Sequence, residues 1–141
     1  MILIKLKQKI KYISQLYYKN LISKLNLNHI PCPICGSHSW YAHGSYSRNC
    51  SILATTKINI VRIKCKHCGS THAILVEGMI PFTSITFDEA VDFLLDVDNS
   101  DYPYIRHFVD SYFAHIDLDY ESFCATRTKN LPFCFIDYFS T

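Results

Sequence analysis

Neither aspartate nor glutamate occurs in the first 76 residues of this 141-residue chain. Long apolar runs are missing as well. The ~20 consecutive apolar residues that cross a bilayer are nowhere present. Lysines at positions 5, 7, 9 and 11 interrupt the apolar stretch that an export leader would need, so the chain reads as cytoplasmic. Glycine (4) and proline (5) are too scarce for collagen-like or linker sequence. With 49% hydrophobic and only 18% charged residues, a disordered polyelectrolyte is excluded. A chain of this length can bury roughly two-thirds of its unfolded surface but leaves no room for a large multidomain enzyme. No phosphate-binding loop, nucleophile–base pair or metal-hydrolase motif is found, and no catalysis is expected.

What is present is divided along the chain. Eleven cations stand in residues 1–76: Lys5, Lys7, Lys9, Lys11, Lys19, Lys24, Arg48, Lys57, Arg62, Lys64 and Lys66. All twelve acids lie in residues 77–141, against only Arg106, Arg127 and Lys129. A basic front of +11 and an acidic rear of −9 are hidden by the formal net charge of +2. Such a split points to a polyanionic partner for the front, or to attraction between the two parts. A merely solvated basic face is the plainer alternative.

Two cysteine knuckles carry the strongest chemical signal: Cys32-Pro33-Ile34-Cys35-Gly36 and Cys65-Lys66-His67-Cys68-Gly69. Two residues between the cysteines let a tight turn aim both sulfurs at one ion, and the following glycine admits φ > 0. Four thiolates, Cys32, Cys35, Cys65 and Cys68, make a closed tetrahedral set suited to structural Zn²⁺, since catalytic zinc keeps a position for water. In a reducing compartment paired cysteines are better read as metal ligands than as disulfides. Redox use of one C-x-x-C is the competing reading. The 29 residues between the knuckles hold a hairpin, which gives a zinc ribbon. Zinc with four thiolates contributes −2, so the front remains near +9. His38, His43, His67 and His72 lie in or beside the module; each is an ordinary strand or turn histidine, a substitute ligand or a phosphate contact. Cys50, Cys124 and Cys134 lack knuckle partners and read as packed thiols.

The fold class expected is α+β: a short antiparallel ribbon sheet flanked by an N-terminal basic helix and an all-helical C-terminal part. In residues 1–30, Leu3, Leu6, Ile10, Ile13, Tyr17, Leu21 and Leu25 recur every three or four positions, as in an amphipathic helix. Alternation of Ile4, Leu6, Ile10 and Tyr12 leaves a strand start open. Residues 31–83 form the ribbon, with strands at 39–46, 57–64 and 71–76. The apolar side of the second strand switches between Ile60 and Val61, which calls for a bulge or a two-sided strand. Residues 84–141 form the acidic helical region. Thr86 with Glu89 is a capping box flanked by Ile85 and Ala90, and that helix runs to about Val97. Asp88, Asp92 and Asp96 on it read as an exposed acidic face rather than a Mg²⁺ site. Asp101 and Pro103 open a second helix bearing Ile105, Phe108, Val109, Tyr112 and Phe113. Segments 120–126 and 131–139 follow.

CPICGSHSWYAHGSYSR followed by INIVRIKCKHCGSTHAILVEGMIPF resembles a family of uncharacterised bacterial zinc-ribbon domains related to the N-terminal regions of insertion-sequence transposases. Trp40, His43, Gly44, Tyr46, Arg48, Arg62, Lys64, Thr71, His72, Ala73, Pro81 and Phe82 match its pattern in order, over about residues 30–83. The resemblance implies a ribbon followed by a helix-turn-helix. Residues 120–139 would be a degenerate one, because PFCFIDYF offers Asp137 and aromatics where a recognition helix offers Arg, Lys, Asn or Gln to base edges. The expected function is a DNA-binding module in which Arg48, Lys57, Arg62, Lys64 and Lys66 contact phosphates. Tyr41 or Tyr46 would either stack on a base or serve the core. The alternative is a zinc-stabilised protein-interaction or regulatory module whose acidic tail masks the basic part, its aromatics meeting a partner or a second copy.

Overall fold

The computed structural model describes residues 1–6, 13–49, 57–79 and 134–137. They form a mixed sheet with one helix: β1 (Ile2–Lys5), α1 (Gln15–Lys24), a 3₁₀ turn (Leu27–His29), β2 (Trp40–Asn49), β3 (Lys57–Cys65), β4 (Thr71–Val76) and β5 (Cys134–Asp137). The sheet order is β2-β3-β4-β1-β5. β2, β3 and β4 are antiparallel neighbours, the ribbon expected from the sequence, while β1 runs parallel to both β4 and β5.

β1 corrects the expectation of one basic helix across residues 1–30. Ile2, Leu3 and Ile4 are wholly buried in succession, opposite Ile74, Leu75 and Val76. A strand covered on both faces shows an unbroken apolar run rather than alternation. The helix starts only at Gln15, where the Ser14 hydroxyl caps it by accepting from the Tyr17 amide (3.1 Å). Of the expected inward stripe Ile13 and Leu21 are buried, but Tyr18 takes the inward position in place of Tyr17, which is exposed. Cys134–Asp137 is likewise a strand where the sequence reading placed a last helix, in register Ile2↔Cys134 to Lys5↔Asp137. The other helices expected in the acidic region, and Asp88, Asp92 and Asp96, fall outside the described residues.

Tyr18 explains how the sheet changes partners. The β3–β4 ladder runs from Lys64↔Thr71 to Arg62↔Ala73, so the next pair would be Val61 and Ile74. The Tyr18 hydroxyl stands there instead, accepting from the Val61 amide (2.9 Å) and donating to the Ile74 carbonyl (2.8 Å). Two residues back along β3, Gln15 Oε1 accepts from the Asn59 amide (2.7 Å). Side chains of α1 thus satisfy the edge of β3 that β4 leaves, and β4 continues beside β1. At the far end of β4 the Glu77 amide donates to the Ile4 carbonyl, and the Leu6 amide donates to the Glu77 carboxylate.

The irregularity expected around Ile60 and Val61 is present, but in the opposing strand. The β2–β3 register shifts between Ala42↔Ile63 and Ser45↔Val61, so His43 and Gly44 together face Arg62. Gly44 has φ 95°, which a residue with Cβ rarely adopts. Among the described residues no helix is long and apolar enough to cross a membrane.

Candidate metal centre

The first knuckle follows the 3₁₀ turn and the second follows β3 directly, with Cys65 as that strand's last residue. Both close in the same way. The Cys32 amide donates to the Ser37 carbonyl (2.8 Å) and the Gly36 amide to the Cys32 carbonyl (2.9 Å). The Cys65 amide donates to the Ser70 carbonyl (2.8 Å) and the Gly69 amide to the Cys65 carbonyl (3.0 Å). Gly36 and Gly69 take φ 77° and 75°, the left-handed conformation anticipated for both. Two further bonds join the knuckles to the sheet. The Lys66 amide donates to the Ser39 carbonyl (2.9 Å), and Trp40 Nε1 donates to the Ile30 carbonyl (2.8 Å).

These turns bring the four cysteine sulfurs within 4.8 Å of one another. Cys32 Sγ lies 3.7 Å from Cys68 Sγ, and Cys35 Sγ lies 3.5 Å from Cys65 Sγ. A tetrahedral ion with metal–sulfur bonds of ~2.3 Å requires sulfur–sulfur edges of about 3.8 Å, so the donor set fits. Each knuckle contributes one buried sulfur (Cys32, Cys65) and one exposed sulfur (Cys35, Cys68). The ion would sit at the boundary between core and surface.

The electrostatics of the thiols favour cation binding. Burial pushes the Cys32 thiol up, but the Cys35 and Ile34 amides with the Ser70 and Cys68 side chains pull it down to about 5. The Cys68 and His67 amides lower Cys65. Against the pull of the Ser37 amide, desolvation and the neighbouring Cys65, Cys68 and Cys32 sulfurs push Cys35 up to about 12. Several sulfurs this close cannot all be anionic without a cation among them.

The histidines divide. His72 is buried on β4, edge-on to Trp40 (5.7 Å between ring centroids), and its Nε2 is 3.9 Å from Cys32 Sγ. Burial of the ring lowers its pKa. Its Nδ1 is hydrogen-bonded to the Met1 nitrogen and its Nε2 to the Ser70 hydroxyl (2.8 Å). The Ser70 hydroxyl in turn lies 2.9 Å from Cys68 Sγ and 3.5 Å from Cys32 Sγ. His38 is hydrogen-bonded to the Asn28 carbonyl (2.9 Å), and His43 stands in the β2 bulge. Ser70 was not singled out in the sequence. Its signal was the Cys-Gly-Ser shared by both knuckles, of which only Cys-Gly was used. Cys134 is half-buried, with Sγ 3.8 Å from the Pro31 carbonyl, and burial pushes its thiol up. Cys50 and Cys124 fall outside the described residues.

The five candidate phosphate contacts are distributed unequally. Direct strand partners share a face of the sheet. The pairs Tyr41↔Lys64, Tyr46↔Ile60 and Arg48↔Ile58 therefore place Arg48, Arg62 and Lys64 on one face with both tyrosines. The Arg62 guanidinium lies over the Tyr46 ring, 5.9 Å from its centroid. Ile58 and Ile60 on this face are buried, and Arg48, Arg62 and Lys64 are half-exposed. Lys57 is exposed on the opposite face, and Lys66 is exposed in the second knuckle.

Residues 32–103 match the family described as a domain of unknown function, DUF6431, and the matched region opens on Cys32. No curated protein and no solved structure matches the chain.

Proposed function

The chain belongs to the DUF6431 family, and we propose that it is a cytoplasmic DNA-binding module built on a structural zinc ion, related to the N-terminal domains of insertion-sequence transposases and without catalysis of its own. The observation that carries this reading is the convergence of Cys32, Cys35, Cys65 and Cys68 at separations suited to one tetrahedral ion. A complete set of four thiolates leaves no open position for water, which argues for a structural ion. The DNA component rests on charge: eleven cations and no acid in residues 1–76. Arg48, Arg62 and Lys64 beside Tyr41 and Tyr46, with Lys57 and Lys66, supply phosphate contacts.

Metal analysis of the purified protein, with DNA shift assays at two salt concentrations, tests both components. One zinc per chain is expected. Five phosphate contacts give a slope near −0.9 per contact in log affinity against log salt, so a threefold rise in salt weakens binding about 100-fold. Affinity that is absent, or that barely changes with salt, overturns the DNA component alone.

A second reading is favoured by β5. Cys134–Asp137, from the acidic part, is a strand of the same sheet, with Asp137 opposite Lys5. These four residues of the acidic part therefore lie beside the basic front, which supports a regulatory or interaction module with a masking tail. Removing residues 84–133 while retaining the strand through a short linker should then strengthen DNA binding.

A further inference from the structure

The two knuckles repeat Cys-Gly-Ser, yet their serines act differently. The Ser37 hydroxyl accepts from the Ser39 amide (3.3 Å), a bond within its own turn. The Ser70 hydroxyl is directed at sulfur, 2.9 Å from Cys68 Sγ, with His72 Nε2 2.8 Å away on its other side. With a metal bound, Cys68 is a thiolate, and a thiolate only accepts. The single Ser70 proton therefore points to Cys68 Sγ rather than to the more distant Cys32 Sγ at 3.5 Å.

That assignment fixes the next proton. Having used its own hydrogen, the Ser70 oxygen faces His72 with lone pairs, so Nε2 must carry the imidazole hydrogen. Nδ1 is then bare and accepts from the Met1 nitrogen, its partner in the structure. The ring cannot turn to exchange these roles, because Trp40 packs against it and the residue is buried.

Building on the metal reading above, we infer that Ser70 and His72 are positioning residues of the metal centre: Ser70 donates to the Cys68 thiolate and His72, in its Nε2–H tautomer, holds Ser70 in place. The relay matters most at Cys68, an exposed ligand that has little packing to hold it. A hydrogen bond to a thiolate withdraws charge from sulfur and fixes the direction of its lone pairs. Outer partners of this kind typically change metal affinity 10- to 100-fold. In this account His72 serves the site without ligating.

The test is zinc affinity by chelator competition, together with the charge-transfer absorption of the Co²⁺-loaded protein. Ser70→Ala is expected to weaken zinc binding about 10-fold or more and to move the sulfur-to-cobalt band to longer wavelength, since sulfur loses a stabilising donor. Ser70→Thr keeps the hydroxyl and should restore both. His72→Gln keeps an N–H near the Nε2 position and should stay close to wild type, whereas His72→Leu should resemble Ser70→Ala. Combined with Ser70→Ala, His72→Leu should add little, because both changes break one chain.

An unchanged affinity and spectrum in Ser70→Ala overturns the inference while leaving the metal reading intact. Full additivity of the two losses overturns the role of His72 through Ser70. A wild-type chain that binds no zinc overturns the metal reading, and the relay with it. Ser70→Ala removes a single oxygen atom from a half-buried residue, so it decides the question even where His72→Leu fails to fold.

Discussion

Replacing Tyr18 by Phe removes one oxygen atom and tests how the sheet passes from ribbon to mixed packing. The hydroxyl now completes two backbone groups, the Val61 amide and the Ile74 carbonyl. Ile74 is wholly buried and Tyr18 is 1% exposed, so water does not replace the lost partner without opening the structure. Each polar group left unsatisfied in such a place costs about 1–3 kcal/mol, and the half-buried Val61 amide falls at the low end. A total of about 2–4 kcal/mol is expected. For a domain of this size that lowers the melting temperature by about 6–12 °C. Urea unfolding of the metal-loaded protein gives the energy, and amide hydrogen exchange at Val61 gives the location. A loss below about 1 kcal/mol, with Val61 still protected, would refute the reasoning. It would mean that β3 and β4 close the gap directly and that the tyrosine is not required as a bridge.

Two other outcomes follow from the geometry. Binding a divalent ion must displace the proton that Cys35 holds up to about 12, and below about pH 5 a second from Cys32. Apparent metal affinity should therefore rise with pH by at least about one log unit per pH unit between pH 6 and 8, and fall more steeply in acid; chelator competition across that range checks this, and a flat profile counts against it. Gly44→Ala meets no atom within 4 Å, so its cost is the backbone strain of φ 95° alone, about 1–2 kcal/mol; thermal unfolding measures it, and no change would mean that the bulge has shifted to a neighbouring residue.

The parts legible in the sequence are those whose signals are local. Each knuckle is specified within five residues, by spacing and a glycine, and β3 and β4 announce themselves through Ile58, Ile60, Ile63, Ile74 and Val76. β1 was obscured because its partners, Ile74–Val76, are about seventy residues away. A central parallel strand also lacks alternation, and Leu3, Leu6 and Ile10 happen to keep helical spacing with the true helix that follows. β5 was obscured for the same reason: only its place beside β1 makes Cys134–Asp137 a strand. Tyr18 was missed because periodicity weighs apolarity, and the decisive feature of this residue is a hydroxyl that two strands require. Ser70 and His72 were illegible as a pair, since their relation depends on a turn and a tautomer rather than on spacing.

The metal centre and the parallel strands make separate demands on the chain, and this predicts how the protein comes apart. Chain segments at the ribbon end are held by sulfur: the knuckles contribute Cys32, Cys35, Cys65 and Cys68, with short backbone bonds around them. Structural zinc in finger peptides supplies about 10–16 kcal/mol of apparent free energy, comparable to the entire stability of an ordinary domain. The parallel strands are held by carbon: Ile2, Leu3 and Ile4 against Ile74, Leu75 and Val76, all at most 2% exposed, with Tyr18 beside them. None of those residues is a ligand. On addition of a strong chelator, amide protection should disappear first at Cys32, Gly36, Cys65 and Gly69, whose bonds exist only within the knuckles. The amides of β1 and of the second half of β4 should exchange later, on the timescale of global unfolding. Hydrogen exchange after chelation resolves the two groups. If all of these amides lose protection together, the sulfur cage and the parallel strands form a single cooperative unit, and the separation argued from their contacts is wrong.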